Sequence, residues 1–348
     1  MISEAIRKTL ARAPALAALV KSRPLQHLVQ TLRGAKAVRE PLRFVALQLE
    51  PSRAAAPPRA AAHRLRDANL TIFLRHRTRD VHIFNEIFGG TGGRRSYEPP
   101  PAIAATLDAN AAPSILDLGA NIGLFGAYAM SRWPGAQIRS FEPDPTNLSM
   151  LTRLIAANGL QRRWSVADVA VANHAGEMGF TAGLFADSHL ELAANPPASS
   201  SAAGPRACAP GQTITVKTID IFEQDHDVDL IKIDIEGGEW AILTDPRLAG
   251  LGADVLVLEW HARGCPEPDA AASTLRLLRA AGYGHVQETE RGRNNGLLWA
   301  WRETGGAPAT REPRPTRRSG VPARLSGAPT RAAGSPAALA STRPCAPS

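Results

Sequence analysis

The chain has 348 residues, 44% of them hydrophobic and 21% charged, with a formal net charge of +8. This length is enough for one large domain or two small ones. The sequence contains no run of about 18 apolar residues, so it predicts no transmembrane helix. The three cysteines are odd in number and far apart, which excludes a disulfide framework or a cysteine metal site and favours a reducing cytoplasm.

The positive charge is concentrated at the two ends of the chain. Residues 1–66 hold 13 Lys/Arg against three Glu, and residues 303–348 hold seven Arg against two Glu. These flanks contribute +10 and +5, so the intervening residues carry −7. A nucleic-acid enzyme usually has a basic face beside its active site, so the charge pattern argues against nucleic acid as a partner.

Residues 1–64 form a basic N-terminal segment that we expect to be partly helical. Weak helical periodicity over 2–32 fits either a helix packed on the following domain or a basic amphipathic surface, with residues 1–40 in weak contact with a membrane. The Pro/Ala-rich stretch 51–63 predicts a linker or surface loop.

Strand and helix patterns alternate between residues 65 and 302, which predicts a parallel sheet with helices on both faces. The last two predicted strands are joined by a short glycine-containing connection, so we expect a hairpin and one antiparallel strand at the end of the sheet. Strands are predicted at 70–74, 114–118, 137–142, 164–167, 214–217, 229–234, 254–260, 284–288 and 296–302. Helices are predicted at 81–88, 122–132, 146–158, 218–224, 239–243 and 270–281.

Two segments are poor in large apolar side chains. Residues 192–212 are rich in Pro, Ser and Ala and predict a flexible loop inserted in the domain. Residues 303–348 cannot bury enough surface to offset the entropy of ordering them, so we expect a disordered tail.

A glycine turn follows the strand predicted at 114–118. Residues 115–123 read Ile-Leu-Asp-Leu-Gly-Ala-Asn-Ile-Gly, and Phe-Glu-Pro follows at 141–143. A strand that enters a glycine turn and opens a helix, with a carboxylate at the tip of the next strand, is typical of a site for a nucleoside-bearing cofactor. Asn121 tolerates a left-handed backbone and could cap a helix beginning at Ile122. Glu142 is placed to accept hydrogen bonds from both hydroxyls of a ribose.

The glycine spacing discriminates between two cofactors. A dinucleotide site needs G-x-G-x-x-G, because the second glycine lets the backbone approach the pyrophosphate. Counted from Gly119, the second and third positions are Asn121 and Leu124. S-adenosylmethionine has no pyrophosphate and tolerates a side chain there. This spacing and the terminal hairpin favour S-adenosylmethionine, with an NAD-dependent oxidoreductase as the alternative.

Carboxylates cluster after the strand predicted at 229–234. Asp234, Glu236 and Glu239 surround a glycine pair at a carboxyl end, where open α/β sheets bind their ligands. Such crowding is unfavourable unless a cationic or hydroxyl-bearing group meets it. Acidic residues also favour a helix N-terminus, so a structural role for Glu236 and Glu239 stays open.

The next predicted strand ends in Glu259-Trp260-His261, and we expect it at the same rim. A single histidine is more often structural than catalytic. Its position at this strand end nevertheless makes His261 a catalytic candidate, together with Asp234, Glu236 and Glu259.

Together these motifs resemble the FkbM family of S-adenosylmethionine-dependent methyltransferases, over about residues 65–302. The resemblance implies a class I methyltransferase fold: a Rossmann-like, seven-stranded, mostly parallel sheet with helices on both faces. It also implies O-methylation of a hydroxyl on a sugar, polysaccharide or natural product. The matching elements are Leu74/Arg75/Thr78/Asp80, the glycine turn 117–123, Phe-Glu-Pro-Asp-Pro at 141–145, Ile-Lys-Ile-Asp-Ile-Glu-Gly-Gly-Glu at 231–239 and Glu-x-His at 259–261.

The family pattern assigns cofactor binding to the glycine turn and the carboxylates near it. Asp168, after the strand predicted at 164–167, is a weaker candidate for contacting the adenine. The upstream group Arg75, Thr78 and Asp80 either shapes the site or forms a structural salt bridge and helix cap. The cofactor-binding candidates are Asp117, Gly119, Asn121, Gly123, Glu142 and Asp168.

Methyl transfer to oxygen also requires removal of the hydroxyl proton. We expect His261 or Asp234 to be the base, with Glu236 or Glu259 orienting it. A divalent cation held by Asp234 and Glu259 is an alternative, although no ligand spacing defines a metal site and none is predicted. An RNA methyltransferase is a further alternative, and the sequence predicts no oligomeric state.

Overall fold

The computed structural model describes residues 23–50, 58, 60–90, 95–183, 188–191, 211–224 and 228–303. Three sequence predictions lie wholly or mostly outside these ranges: the start of the N-terminal segment, the inserted loop and the C-terminal tail. No helix among the described residues combines the length and apolarity needed to cross a membrane.

The helices are α1 (Arg23–Ala37), α2 (Pro41–Leu49), α3 (Arg79–Phe84), α4 (Pro101–Ala109), α5 (Leu124–Arg132), α6 (Pro145–Ala157), α7 (Glu239–Leu243) and α8 (Ala270–Ala280), with a π-helical turn at Asn85–Gly89 and 3-10 turns at Ile221–Glu223 and Pro246–Gly250. The strands are β1 (Ala60–Arg64), β2 (Thr71–Arg75), β3 (Ser114–Leu118), β4 (Gln137–Phe141), β5 (Trp164–Ala167), β6 (Ala170–Ala172), β7 (Gly176–Ala182), β8 (His189–Leu190), β9 (Gln212–Asp220), β10 (Leu230–Ile233), β11 (Val255–His261), β12 (His285–Arg291) and β13 (Asn295–Trp301).

The main sheet has seven strands in the order β12-β13-β11-β10-β3-β4-β5. The pairs from β11 to β5 are parallel, and β13 runs antiparallel to both of its neighbours. The predicted fold class is confirmed. The antiparallel strand lies second from the edge rather than at the end, because the β12–β13 hairpin inserts its second strand against β11.

Buried strands and helices on both faces of the sheet form the core. All four residues of β10 are buried, and strands covered on both faces read as apolar runs. One hydrophobic cluster joins the sheet to α6 through Leu151, and the other joins it to α8 through Leu278. This packing leaves the carboxyl ends of β3, β4, β10 and β11 to form a common rim.

A second, four-stranded sheet has the order β6-β9-β7-β8. The helix predicted at 218–224 is wrong, because β9 continues to Asp220 and only a 3-10 turn follows. Val216, Thr218 and Asp220 are buried on alternate positions, which is the period of a strand and not of a helix. The sequence analysis missed β6, β7 and β8.

The N-terminal helices pack on the main domain. Phe44 of α2 is fully buried in the same cluster as Ile115 of β3. The linker predicted at 51–63 is wrong for residues 60–63, which pair with β2 in an antiparallel hairpin. Alanine-rich sequence was interpreted as a loop, but its alternate residues Ala61 and His63 are buried in the hairpin.

The upstream group forms a buried salt bridge and a helix cap. The Arg75 guanidinium donates to both oxygens of Asp80, at 2.7 and 2.9 Å, and to Asn147 Oδ1 at 2.8 Å. Thr78 is the N-cap of α3 and accepts from the Asp80 backbone N–H. These contacts support the structural interpretation of Arg75, Thr78 and Asp80.

Candidate active site

A cavity of about 520 Å³ lies at the carboxyl rim of the main sheet, within the usual size range of small-molecule sites. Its walls come from the turns after β3, β4 and β10, from the π-helical turn, from the β12–β13 connection and from the second sheet. Of the sequence-predicted site residues, those that line it are Gly119, Asn121, Glu142, Asp234, Glu236 and Glu259.

Gly119 is the first residue of the turn after β3 and lies directly against the residue that follows β10. Its φ is +76°, and a Cβ there would lie 1.9 Å from the carbonyl oxygen of Asp234. Only glycine fits both the left-handed backbone and the contact. The turn after β3 is therefore held directly against the end of β10.

Asn121 has a left-handed backbone, with φ +51°, but it does not cap the helix. That prediction is wrong, because α5 begins at Leu124 and its N-cap is Gly123, φ +86°. A Cβ on Gly123 would lie 2.6 Å from Leu151 Cδ1, so close packing on α6 extends the turn by two residues. Among the described residues, the buried Oδ1 of Asn121 has no hydrogen-bond partner.

Glu142 is a buried carboxylate, 4% exposed, on the wall of the cavity. Its Oε2 accepts from the Asn121 backbone N–H at 2.6 Å, and its Oε1 accepts from the Asp144 backbone N–H at 2.8 Å. Burial raises the pKa of Glu142 to about 8, in opposition to the two backbone hydrogen bonds. Each oxygen retains a lone pair for a further donor.

Three predicted cofactor residues do not line the cavity: Gly123, Asp117 and Asp168. Asp117 is fully buried beneath it, accepts from Ser140 Oγ at 3.1 Å and lies 3.4 Å from Lys232 Nζ. Burial raises the pKa of Asp117, although Lys232 acts in the opposite direction. Asp168 is exposed at the end of β5 and lies outside the lining.

Lys232 is a site residue that the sequence analysis missed. Its Nζ donates to the carbonyl of Gly119 at 2.6 Å and to that of Leu118 at 3.2 Å, and it lies 3.5 Å from Asp234 Oδ2. Burial opposes its charge, but Asp234 and Asp117 raise its pKa above the ordinary value. A lysine in an otherwise apolar strand was the available signal.

The acidic rim lies at the ends of β10 and β11. Tyr97 Oη donates to Asp234 Oδ2 at 3.4 Å, and Asn295 Nδ2 donates to Glu259 Oε1 at 2.8 Å. Burial, and then the charge of Asp234, raise the pKa of Glu259 to about 7. Tyr97 lies in a loop without periodicity, so no sequence signal marked it.

His261 lies behind this rim, 12% exposed, and does not line the cavity. Its Nδ1 is 3.1 Å from Glu239 Oε1, and its Nε2 is 3.5 Å from Glu236 Oε2 and 3.7 Å from Glu259 Oε1. Burial lowers the pKa of His261, but the Glu239 hydrogen bond and the neighbouring carboxylates outweigh it and raise the pKa to about 10. The structure thus brings together all four predicted catalytic residues, and the carboxylates around His261 favour its protonated form.

The strand order and the glycine turn are those of the class I methyltransferase fold. Residues 117–284 match the model of the Methyltransferase FkbM domain. This match confirms, over that segment, the family resemblance found in the sequence.

Individual proteins are similar over shorter stretches. Methyltransferase sdnD of Sordaria araneosa is 36% identical over 69 residues, which is 20% of this chain and 27% of that protein. The methyltransferase FkbM structure from Methylobacillus flagellatus is 17% identical, with a TM-score of 0.37, and covers 55% of this chain and 44% of its own. The N-terminal domain of human METTL16 in complex with SAH is 14% identical, with a TM-score of 0.34, over 58% of this chain and 66% of its own. The chain thus spans less than half the length of the first two relatives.

Proposed function

We propose that this domain transfers a methyl group from S-adenosylmethionine to a hydroxyl oxygen of a sugar, polysaccharide or natural product. The observation that carries the proposal is Glu142, a buried carboxylate on the cavity wall whose oxygens are each held by one backbone N–H. Their remaining lone pairs match two adjacent ribose hydroxyls. The FkbM match supports methyl transfer, and the acceptor class rests on the family resemblance.

The residues around the glycine turn fit this cofactor. A buried oxygen of Asn121 lacks a partner among the described residues, and a cofactor amino or hydroxyl group would satisfy it. The tight contact at Gly119 keeps side-chain atoms out of the turn. When bound, S-adenosylmethionine supplies a methyl group activated by the positive charge of its sulfur.

The enzyme must then align the acceptor oxygen and remove its proton. A hydroxyl is a weak acid, so a base within about 3 Å of it is needed. Asp234 and Glu259 line the cavity, and a pKa of about 7 for Glu259 suits a base that works near neutral pH. We therefore propose that one of these two carboxylates removes the proton of the acceptor hydroxyl.

This assignment exchanges the roles that the sequence analysis gave to His261 and to the carboxylates. His261, held as a cation behind the rim, orients Glu236 and Glu259 instead of being oriented by them. As the acceptor oxygen receives the methyl group and the sulfur departs, the carboxylate would take the hydroxyl proton and later release it to water. His261 keeps its own proton throughout and limits the repulsion between the carboxylates.

The same acidic rim supports a neutral, hydroxyl-bearing acceptor. A polyanion such as RNA would meet Asp234, Glu236 and Glu259 at the reacting end, which is unfavourable. Cytoplasmic localisation remains a proposal that rests on the cysteine content, and weak membrane contact through residues 1–40 remains a proposal that rests on their basic character.

Calorimetry with the full chain tests the cofactor assignment. We expect S-adenosylhomocysteine to bind and NAD not to bind, because the turn after β3 lacks the second glycine that a pyrophosphate needs. Binding of NAD alone would instead support the oxidoreductase. A transfer assay with isotopically labelled S-adenosylmethionine over sugars, nucleotide sugars and glycolipids then identifies the acceptor, and label found only in RNA would overturn the acceptor class.

A further inference from the structure

The helix pair α1 and α2 is attached to the main domain by its inner face. A Cβ on Gly34 of α1 would lie 2.6 Å from Phe44 Cζ of α2 and 2.7 Å from Oδ1 of Asn85 in the π-helical turn. His27 Nε2 of α1 lies 3.1 Å from Gln48 Nε2 of α2, so the two helices run side by side in opposite directions. Their outer faces are therefore held in fixed positions on the surface of the domain.

These outer faces carry exposed apolar side chains. Leu42, Ala46 and Leu49 of α2 are all exposed, and their spacing of four and three residues places them on one face of the helix. Leu42 is 85% exposed. Apolar residues scattered singly over a surface are ordinary, whereas a concentration of them marks an interaction site. Among the described residues, the exposed large hydrophobic side chains all lie on α1 and α2, and we call them the apolar face: Leu28, Val29, Leu32, Leu42 and Leu49.

Basic side chains lie on the same two helices. Residues 23–49 hold five Lys/Arg against one Glu, a net charge of +4. Arg33 and Lys36 of α1 are exposed. Arg43 of α2 donates to the backbone carbonyl of Ala62 at 2.9 Å, a contact that does not neutralise its charge. A partner that complements this surface must therefore be both apolar and negatively charged.

The surface of a membrane with anionic lipids has this combination. Helices that bind there place leucine side chains at the boundary between headgroups and acyl chains, and their Lys and Arg side chains reach the anionic headgroups. With 15 and nine residues, α1 and α2 are too short to span a bilayer, which needs about 20. The pair is instead suited to lie in the plane of the membrane surface.

Charge argues against other occupants of the apolar face. A second copy of the chain in a two-fold dimer would place this basic surface against itself, and like charges repel. Residues 1–22 hold four Lys/Arg against one Glu, so this segment is basic as well. Nucleic acid would supply negative charge through its phosphates, but the leucines would gain no apolar partner from them.

We propose that the outer face of α1 and α2 binds a membrane surface that contains anionic lipids. The apolar face enters the headgroup boundary, and the basic side chains lie against the lipid phosphates. The sequence analysis offered packing on the domain and membrane contact as alternatives. Both are compatible with α1, because Thr31 and Ala35 are buried on one side of the helix while Leu28 and Leu32 are exposed on another. The proposal does not depend on the methyl-transfer function.

Co-sedimentation of the full chain with lipid vesicles tests the proposal. We expect binding to phosphatidylcholine vesicles that contain about one quarter phosphatidylglycerol, and binding about tenfold weaker or less to pure phosphatidylcholine, because anionic lipids attract basic residues near the surface. The difference should decrease at high salt, which screens this attraction.

The variant Leu42→Gln/Leu49→Gln removes apolar surface without changing the charge, and glutamine has nearly the helix propensity of leucine. We expect the partition coefficient of this variant on the mixed vesicles to fall about tenfold or more, since two leucine side chains no longer leave water. Calorimetry with S-adenosylhomocysteine should give the wild-type result for the variant, because neither leucine lines the cavity.

The variant Arg33→Gln/Lys36→Gln removes charge and keeps the leucines. Its binding to the mixed vesicles should fall by about tenfold at low salt and approach that of the wild type at high salt. The matched control is Arg276→Gln/Arg279→Gln, which makes the same change in charge at exposed positions of α8. Because α8 packs on the other hydrophobic cluster, the control should bind within about twofold of the wild type.

Equal vesicle binding by the wild type and by Leu42→Gln/Leu49→Gln would overturn the proposal and assign the binding to the basic flanks alone. A wild-type chain that stays in solution with the mixed vesicles would also overturn it. Analytical ultracentrifugation would then identify a second copy as the occupant if the wild type is a dimer and the leucine variant is a monomer. These outcomes leave the methyltransferase assignment intact, since binding of S-adenosylhomocysteine tests that assignment separately.

Discussion

The Nδ1 atom of His261 lies 3.1 Å from Oε1 of Glu239, a carboxylate that is completely buried. The same oxygen accepts from the His261 backbone N–H at 2.7 Å, and Glu239 Oε2 accepts from the Gly237 N–H at 2.7 Å. Glu239 is thus fully engaged and fixes the imidazole ring. Its buried negative charge favours the protonated ring, which is why His261 fits an orienting role better than that of a base.

This pair predicts how stability depends on pH. The pKa of His261 rises from 6.5 to about 10 on folding, so its contribution is complete below pH 6.5 and is lost as the pH rises through 10. We expect the difference in unfolding free energy between the wild type and His261→Gln to shrink across this window, by a few kcal/mol at most (about 1.4 kcal/mol for each pKa unit). Chemical denaturation at several pH values measures it. The exposed His174 supplies the control variant, His174→Gln, and a difference that stays constant with pH would contradict the cationic His261.

Glu142 predicts a pH dependence of ligand binding. The pKa of its carboxyl is raised by burial from 4.5 to about 8, and the ionised form accepts hydrogen bonds from ribose hydroxyls best. We expect affinity for S-adenosylhomocysteine to increase as the pH rises through 8, and Glu142→Gln to lower affinity about tenfold or more and to flatten the profile. Calorimetry across this range measures both effects.

The control for this experiment is Glu290→Gln, another carboxylate on the cavity wall. Glu290 is on β12 and accepts from Ser96 Oγ, away from the turn that holds Glu142. The Glu290→Gln variant should leave the pH profile of cofactor binding unchanged. An affinity for S-adenosylhomocysteine that is unchanged in Glu142→Gln would contradict the proposal that Glu142 binds the ribose.

The main sheet could be predicted from the sequence because its strands are buried on both faces. The Leu-Ile-Lys-Ile run of β10 and the glycine turn after β3 are local signals of this arrangement. The second sheet was predicted only in part. The strand predicted at 214–217 lies within β9, which mixes exposed Thr and Lys with half-buried positions, and β6, β7 and β8 were missed. Asp144 connects this sheet to the start of α6, and its contacts with Gly183 and Ser188 span about forty residues of chain.

The grouping of the candidate residues at one rim could be predicted, but not which of their side chains line the cavity. Strand ends at one rim bring Asp234, Glu259 and His261 together in any open α/β sheet. Which of them faces the cavity depends on side-chain packing, and the buried Glu239 draws the His261 ring behind the rim. Tyr97 comes from a loop far away in sequence and could be found only in three dimensions.

Chelation tests the alternative role of the rim. Asp234, Glu259 and His261 each offer a ligand atom, and these atoms lie within 4.8 Å of one another, so a divalent cation is a plausible occupant. A carboxylate base and a cationic His261 predict that methyl transfer survives treatment with EDTA. Loss of activity that Mn²⁺ restores in the wild type, but not in Asp234→Asn, would instead support metal-assisted transfer.

The last prediction concerns His63 and His76, which lie away from the active site. Their Nε2 atoms are 2.8 Å apart, and His76 Nδ1 is 3.1 Å from Gln48 Oε1. In such a pair one ring donates its N–H, and the ring that accepts must be neutral. Burial is the main cause that lowers the pKa of both rings from 6.5 to about 4, followed by nearby cationic groups.

Because both folded pKa values are below the unfolded value, this pair stabilises the protein above pH 6.5 and the contribution is lost as the pH falls through 4. We expect Tm to decrease on acidification through this window and the double variant His63→Gln/His76→Gln to show a weaker decrease. Thermal unfolding followed by circular dichroism measures both slopes, with His174→Gln as the exposed control. Equal slopes in the wild type and the double variant would show that the pKa values of the two rings do not change on folding.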